Sequence, residues 1–193
     1  RKCARWATPG SSVALRARLV RPLRQGIRST AGCLVETGRR VLKGERIGAG
    51  EGPLGTGVHA STSGTVIELA LAPMAHASGL GTLSVVIEPD GADEWIDHAP
   101  FDHRAVPRET ALRYLGDCGI VGMGGAAFPT HVKLGIGRGI EALIINGAEC
   151  EPWITCDDRL MRERAAGILS GAVILRELIG ARRIIVGIED NKP

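Results

Sequence analysis

The stretch Gly119-Ile-Val-Gly-Met-Gly-Gly-Ala-Ala-Phe-Pro-Thr-His-Val-Lys133 decides how the second half of this 193-residue chain is expected to fold. Its glycines let the backbone adopt positive φ and lie close to a ligand. Pro129 suits the first turn of a helix, and Lys133 follows one turn later. A helix N-terminus and a lysine both favour an anion, and backbone N–H groups of the loop suit a phosphate. The stretch therefore predicts a nucleotide-binding loop, although a tight turn between packed elements uses the same glycines.

A second polar stretch, Asn146-Gly-Ala-Glu-Cys-Glu-Pro-Trp-Ile-Thr-Cys-Asp-Asp-Arg159, follows directly after the apolar run Leu143-Ile-Ile. Such a run is typical of a strand buried in a parallel sheet. Glu149 and Glu151 stand just past the end of that strand, where α/β sheets place ligands. Because carboxylates accept hydrogen bonds, this pair suits a ribose, a nicotinamide amide or a flavin ring edge.

The two stretches form a joint pattern, Gly-x-Gly-Gly-x-x-Phe-Pro-x-x-x-Lys followed by Asn-x-x-Glu-x-Glu-Pro. This pattern resembles the RnfC family, a subunit of the Rnf ion-translocating ferredoxin:NAD oxidoreductase, and, more distantly, the flavin- and NADH-binding subunit of respiratory complex I. The resemblance runs from about Leu19 to Pro193. It includes Val58-His-Ala-Ser-Thr-Ser-Gly-Thr-Val66, Cys156-Asp-Asp-Arg-Leu-Met161 and Gly187-Ile-Glu-Asp-Asn-Lys-Pro193.

The resemblance implies FMN and NAD as cofactors, with hydride exchange between NADH and FMN and onward transfer to iron–sulfur clusters in a later segment. The protein orients the ring stack and tunes the flavin, so no side chain is assigned a covalent catalytic role. Each implied contact is carried over by position. Gly122, Gly124 and Gly125 approach the flavin and its phosphate, Lys133 contacts phosphate, Phe128 stacks on the nicotinamide nucleotide, Asn146 and Glu149 bond the flavin, and Glu151 bonds NADH.

The same resemblance implies partners and a location. The chain would join other subunits of a membrane-bound redox complex and lie at the cytoplasmic face of the cell membrane through them. No run approaches the ~20 apolar residues of a membrane span, and no signal-peptide h-region opens the chain.

Three positions depart from the pattern of the relatives. Met123 replaces an arginine found in the complex I subunit, and Ala148 replaces a carboxylate at its flavin edge. Ala127 replaces the usual second glycine before Phe-Pro, and so adds a β-carbon where the backbone is expected to approach the cofactor or adopt positive φ.

Two alternatives stay open. A corrin reductase of the propanediol-utilisation type has similar motifs, although Thr155-Cys-Asp-Asp-Arg-Leu-Met161 favours the Rnf protein. A non-catalytic scaffold, in which the glycine loop is only structural, belongs to a different class of protein. The flavin content of the purified protein separates these readings.

The amino-acid composition limits the number of cores, the kinds of partner and the cysteine chemistry that the chain is expected to have. A hydrophobic content of 44% supports one large or two small cores, and the net charge of +3 comes mainly from arginines in the first thirty positions. Trp6 is the only aromatic residue among the first thirty, so no aromatic platform is interleaved with those arginines and nucleic acid is not an expected partner. Five cysteines without Cys-x-x-Cys spacing indicate neither a disulfide framework nor a metal site, and an intracellular compartment fits them best.

Residues 13–90 read as a small β-sandwich, a barrel-sandwich hybrid like biotinyl and lipoyl domains. Val13–Val20 alternates as a half-exposed strand, and short apolar patches between Gly32 and Ile47 are divided by glycine turns. Strand patterns continue over Thr65–Leu71 and Leu83–Ile87. Because no Met-Lys or Asp-Lys-Ala tip is present, we expect a scaffold without a modified lysine. His59 and His76 are expected to be surface or turn histidines and not metal ligands.

Residues 1–12 are expected to form a tail, 91–107 a linker, and 108–193 a Rossmann-like α/β domain that is incomplete at Pro193. A helix is predicted over Pro107–Gly116, strands over Ala142–Ile145 and Arg182–Ile188, and one long helix between them. Thr155, Asp157 or Asp158 are its candidate caps, and Gly180 ends it. This βαβ unit places the glycine loop at the carboxyl ends of parallel strands.

Overall fold

A computed structural model of the chain describes residues 14–25, 30–74, 78–124, 126–137, 139–150 and 154–192. The chain divides into two compact units, residues 14–135 and residues 136–193. Each unit has its own secondary structure.

Residues 14–135 contain an antiparallel β-sandwich. Its strands are β1 (Leu19–Pro22), β2 (Gly32–Cys33), β3 (Arg40–Val41), β4 (Arg46–Ala49), β5 (Val58–His59), β6 (Gly64–Pro73) and β7 (Gly81–Pro89). One sheet has the order β1-β7-β6-β3 and the other the order β2-β4-β5. Val66 and Ile87 from the first sheet pack with Ile47 and Val58 from the second, and this buried cluster forms the core.

The predicted strands are largely confirmed, with one shift at the start. β6 and β7 form a long hairpin in which Leu71 lies opposite Leu83. Residues 14–18, the described part of the predicted first strand before Leu19, are not in a strand, and β1 begins at Leu19, which pairs with Ile87 of β7. His76 lies outside the described residues.

The segment after β7 is bonded to the sandwich at its start. Trp95 forms an isolated bridge with Lys43, and the Lys43 ammonium contacts the Asp93 carboxylate at 2.5 Å. Asp90 accepts hydrogen bonds from the Ser63 hydroxyl at 2.6 Å and from the Ala92 N–H at 2.9 Å. The first residues of the predicted 91–107 linker are therefore held by the β unit.

Two helices complete the unit formed by residues 14–135. Helix α1 (Arg108–Asp117) confirms the predicted helix after Pro107, and helix α2 (Thr130–Ile136) begins directly after Pro129. Gly116 was expected to end α1, but it is buried within the helix. Gly119, with φ of +71°, makes the turn instead, since its conformation is one that glycine adopts without strain.

Residues 136–192 form the predicted strand–helix–strand crossover. Strand β8 (Ala142–Asn146) pairs in parallel with β9 (Arg183–Gly187), in a register that sets Asn146 opposite Gly187. The connection is helical, and Gly180 ends it in the left-handed conformation at φ of +68°.

The single long helix predicted for this crossover is wrong. Helix α3 (Cys156–Glu163) and helix α4 (Ala165–Ile179) are separated at Arg164, whose φ of −130° leaves the helical region. The two segments bury unlike faces, α3 through Asp158 and α4 through Ala172, Leu178 and Ile179. Because the helix is broken at Arg164, α3 and α4 can be oriented independently. Leu160 and Leu169, which the pattern of one long helix predicted to be buried, are therefore more exposed than expected.

None of the helices in the described part of the chain combines the length and the apolar character that a membrane-spanning helix requires.

Candidate functional site

The glycine loop between α1 and α2 is a tight turn closed by its own backbone. The N–H of Gly122 donates to the carbonyl oxygen of Phe128 at 2.8 Å, and the N–H of Ala127 donates to that of Gly124 at 2.9 Å. Val121 and Pro129 form an isolated antiparallel bridge below the turn. The N–H groups of Gly122 and Ala127 are therefore engaged within the loop, and the tip between them is the part that can meet a ligand.

Ala127 adopts a φ of +46°, one of two positive values among the described residues other than glycine. The sequence pattern marked this position because relatives have glycine there, and the structure confirms that the backbone needs the left-handed region. For a residue with a β-carbon this conformation costs about 1–2 kcal/mol. The loop keeps its turn despite the substitution.

The predicted ligand residues of the loop are accessible. A β-carbon placed on Gly124 would meet no atom within 4 Å, so a ligand can approach the backbone there. Met123 beside it is 80% exposed, and Phe128 is 37% exposed. Lys133 is exposed on α2, one turn after Pro129. Gly125 lies outside the described residues.

The β-sandwich holds the residues that lead into this loop. A β-carbon on Gly57 would collide with the carbonyl oxygen of Asp117, and one on Gly119 would lie 2.6 Å from that of Gly57. The Arg46 guanidinium bonds the Asp117 carboxylate at 2.6 Å. Because the backbones touch here, the entry to the glycine loop is fixed by the β unit.

His59 lies in this contact. Burial, followed by the positive charges of Arg21 and Arg46, lowers the pKa of the His59 imidazole. Its ring therefore packs as a neutral group against Gly57 and Gly119 at pH 7.

A cavity of about 450 Å³ lies between the glycine-rich 50–57 loop and α1. His131 lines it, and its Nδ1 is the one buried side-chain nitrogen or oxygen of the described residues that lacks a hydrogen-bond partner. None of the predicted ligand residues lines this cavity. Asp117 and His131, which line it, lie next to the glycine-rich part of the loop in sequence, one on each side.

In residues 136–192, the predicted ligand residues follow the carboxyl end of β8. The Asn146 side-chain oxygen accepts the N–H of Ala148 at 3.1 Å, and the exposed amide group caps the turn that leaves the strand. Gly147 continues the pairing beyond β8, since its N–H donates to the carbonyl oxygen of Gly187 at 2.8 Å. The Met161 sulfur would be 2.7 Å from a β-carbon at Gly147, so a larger residue there would require the Met161 side chain to move.

Glu149 lies three residues past β8 and is deeply buried. One carboxylate oxygen accepts the Asp157 N–H at 2.8 Å, and the other contacts the Lys192 ammonium at 2.6 Å. Burial opposes ionisation of Glu149, but the Lys192 ammonium and the Asp157 N–H outweigh it and lower the pKa of the carboxyl group. Glu149 is therefore an ionised, oriented carboxylate. Glu151 lies outside the described residues.

Glu149 also supplies the cap that sequence reasoning assigned to α3 itself. Thr155 occupies the N-cap position without a side-chain hydrogen bond, Asp157 and Asp158 lie within the first turn, and Asp158 is paired with Arg162. The cap comes from Glu149 because its carboxylate lies against the first N–H groups of the helix.

Glu149, Cys156 and Asp157 form a small cluster whose potential ligand atoms lie within 4.8 Å of one another. An ammonium already contacts Glu149, so an additional cation would meet a charge of the same sign. Burial, then the charge of Asp157, raises the pKa of the Cys156 thiol. The four cysteines of the described chain, at positions 33, 118, 150 and 156, are free thiols.

The predicted ligand residues therefore fall into two groups, one in each compact unit. Gly122, Gly124, Phe128 and Lys133 lie on a single turn and helix, and Asn146 and Glu149 share the end of β8. Sequence reasoning missed Lys192 as a member of the second group. Its signal was present in the stretch Gly187-Ile-Glu-Asp-Asn-Lys-Pro193, which carried the resemblance but had no assigned role.

Comparisons with known proteins match both halves of the chain. Residues 5–92 match the family model of the RnfC barrel sandwich hybrid domain, and residues 115–193 match that of the Nuo51 FMN-binding domain. The second match contains the glycine loop and all the predicted ligand residues. It begins inside α1, twenty residues before the division between the two compact units.

Curated relatives are nearly half identical to this chain over the aligned residues. The RnfC protein of the ion-translocating oxidoreductase complex of Pectobacterium atrosepticum is 47% identical over 188 residues, which cover 96% of this chain and 27% of the relative. That of Salmonella gallinarum is 48% identical over 96% of this chain and 28% of the relative. The chain thus spans little more than a quarter of the length of these relatives, and it belongs to the RnfC family of ion-translocating oxidoreductase complex subunits.

Proposed function

We propose that this chain is the FMN- and NADH-binding part of an electron-transfer subunit in an ion-translocating ferredoxin:NAD oxidoreductase. The subunit would exchange hydride between NADH and FMN, and iron–sulfur clusters elsewhere in the full-length protein would take up the electrons. The names of the curated relatives and the FMN-binding domain model support an oxidoreductase role. The pairing with NADH rests on the motif of the glycine loop and the acidic turn.

The observation that carries the proposal is the conformation of the glycine loop. Its backbone turns back through the Gly122–Phe128 hydrogen bond and the positive φ of Ala127, so that Gly124 presents open backbone at the tip. Phe128 and the exposed Lys133 follow on the same turn and helix. An open glycine, an accessible aromatic face and a cation are the groups that a phosphorylated, planar cofactor needs.

These residues fit FMN, and we assign them roles by position. Gly124 would admit the cofactor against the backbone, Lys133 would hold its phosphate, and Asn146 and Glu149 would bond the ring edge. Phe128 would stack on the nicotinamide nucleotide, and Glu151 would accept hydrogen bonds from it. When bound, FMN supplies both two-electron exchange with NADH and single-electron transfer onward.

The chain itself contributes orientation and charge. Gly122 leaves the loop without a side chain at that position, and the buried Glu149 is held ionised at the strand end. Attachment to a membrane would come through other subunits of the complex, and the proposed location is the cytoplasmic face.

The experiment is a pair of titrations on the full-length protein. FMN is added to protein stripped of flavin, and NADH is then added to the FMN-loaded form, for wild type and for Glu151→Gln. We expect Glu151→Gln to weaken NADH by about tenfold to a hundredfold and to leave FMN nearly unchanged, because a charge-assisted hydrogen bond is worth about 1–3 kcal/mol.

The outcomes separate the competing functions. Wild-type protein that binds no flavin would refute the proposal and favour a scaffold. Flavin binding with reduction of an added corrin would favour a corrin reductase. Equal losses of FMN and NADH in Glu151→Gln would overturn the assignment of that residue to NADH.

A further inference from the structure

Lys192 is a lysine whose side chain is only 2% exposed. Lysine is almost never fully buried unless its charge is paired. Its ammonium contacts Glu149 at 2.6 Å and Glu189 at 3.3 Å, and the Glu149 side chain is itself 0% exposed. Burial works against the charged form, yet the two carboxylates outweigh it and raise the pKa of Lys192. The ammonium is thus a fixed positive charge inside residues 136–192.

The ion pair between Lys192 and Glu149 lies beyond the carboxyl ends of β8 and β9. Glu149 follows the end of β8 and Lys192 follows the end of β9, and these parallel strands are adjacent, with Asn146 opposite Gly187. The carboxyl ends of such strands form the edge at which α/β sheets bind ligands. The ion pair therefore joins the two loops that leave this edge.

A third segment is attached to the same carboxylate. The second oxygen of Glu149 accepts the N–H of Asp157 in the first turn of α3. One carboxylate thus connects the turn after β8, the loop after β9 and the start of a helix. Removing Lys192 would take away the ammonium that contacts the buried Glu149 carboxylate, and a buried carboxylate that loses a counter-charge tends to move or to become protonated.

We infer that Lys192 is a positioning residue for the flavin-binding edge, acting through Glu149. Lys192 keeps the Glu149 carboxylate ionised and in a fixed orientation. Because Glu149 and Asn146 belong to the same turn after β8, the position of Asn146 is thereby fixed as well. This inference rests on the proposed function, since Glu149 is assigned to the flavin there.

The charged groups around Glu149 determine how a variant should respond to pH. The second loop contributes Lys192 and Glu189, and helix α3 contributes Asp157, Asp158 with its partner Arg162, and the Cys156 thiol. Among these groups, Lys192 is a cation that contacts Glu149 directly. Without it, burial and the neighbouring carboxylates both favour the protonated acid, so Glu149 would titrate at a higher pH than in the wild type.

The test is a double-mutant cycle on the full-length protein with FMN affinity as the readout. Lys192→Met and Glu149→Gln are made singly and together, and FMN binding is measured by quenching of flavin fluorescence below and above neutral pH. Arg183→Met is the matched control, because it breaks an exposed ion pair with Glu141 in the same unit. We expect Arg183→Met to bind FMN as the wild type does.

We expect Lys192→Met to weaken FMN by about tenfold or more, as does Glu149→Gln, and the double variant to match Glu149→Gln alone. The loss in Lys192→Met should change with pH, while that in the double variant should not. If Lys192→Met does not fold, the double variant, which leaves neither charge of the pair buried, still decides the question by comparison with Glu149→Gln.

Additive losses in the double variant, or a Lys192→Met protein with the wild-type FMN affinity and pH profile, would overturn the inference. Both results differ from a failure of the proposed function, in which the wild type itself binds no FMN.

Discussion

The backbone N–H of Gly57 donates a 2.8 Å hydrogen bond to the carbonyl oxygen of Gly116. Gly57 directly precedes β5, and Gly116 lies in the last turn of α1, three residues before the glycine loop begins. The same contact brings Gly119 against the Gly57 carbonyl. The β-sandwich thereby anchors the entry to the proposed nucleotide loop, which gives a structural basis to the expected scaffold role.

Gly119→Ala should destabilise the protein more than its backbone conformation alone explains. Its φ of +71° costs alanine about 1–2 kcal/mol, and the new β-carbon would lie 2.6 Å from the Gly57 carbonyl oxygen, a collision worth about 1–3 kcal/mol more. Gly79→Ala is the control, because Gly79 has a φ of +62° but no atom within 4 Å. Urea denaturation of both variants measures the difference, and equal losses of unfolding free energy would show that the contact is not tight.

Ala127→Gly should stabilise the protein. Glycine removes about 1–2 kcal/mol of left-handed strain at φ of +46°. Its extra conformational freedom stabilises the unfolded chain by about 0.4–1 kcal/mol, so the net gain in unfolding free energy is about 0–1.6 kcal/mol. Ala126→Gly, at a position without positive φ, should lose stability instead. The midpoints of chemical denaturation compare the two, and a loss in both would contradict a strained Ala127.

Lys133→Met should weaken nucleotide binding by about tenfold to a hundredfold, because it removes a charge near the phosphate but keeps most of the apolar stem. The loss should shrink as salt rises, since an exposed charge is screened. Calorimetric titration of FMN and NADH into the full-length protein at two salt concentrations measures both effects. Arg24→Met, which removes another exposed cation, is the control, and unchanged affinity in Lys133→Met at low salt would place the lysine away from phosphate.

Asp90 should contribute stability that is lost in acid. The Ser63 hydroxyl, then the Ala92 N–H and the Arg40 guanidinium, lower the pKa of Asp90 from 3.8 to about 2. A carboxyl group with a lowered folded-state pKa stabilises the fold fully above the unfolded value, and this contribution disappears as the pH falls from about 4 to about 2. Melting temperatures of wild type and Asp90→Asn should differ at pH 5 and converge toward pH 2.

Ser63→Ala tests the cause of that shift. Because the hydroxyl is the largest contributor, its removal should move the Asp90 titration, followed by carboxyl carbon chemical shifts, toward 3.8. An unmoved midpoint would assign the shift to Arg40 and Ala92 instead.

Local sequence patterns determined much of this molecule. Some features depend only on neighbouring residues and could therefore be predicted. They are the proline and apolar spacing around α1, the alternation along β6 and β7, the apolar runs of β8 and β9, and the end of α4 at Gly180. The demand for positive φ at Ala127 was also visible, because a glycine motif marks backbone geometry directly.

Tertiary structure alone decided which distant groups meet. The contact of Lys192 with Glu149 spans 43 positions, and the Gly57–Gly116 contact joins the residue before β5 to the last turn of α1. Residues 93–96 looked like a linker because their composition is that of a loop, yet Lys43 holds them by backbone and side-chain bonds. The cap of α3 comes from Glu149 and not from the helix's own Thr155, and the break at Arg164 follows from the faces that α3 and α4 bury. The spacing of apolar residues along a segment reflects its secondary structure over a few residues. Whether a charge pair is buried, or two distant backbones touch, depends on how the segments pack in three dimensions, and the local spacing of residues does not determine that packing.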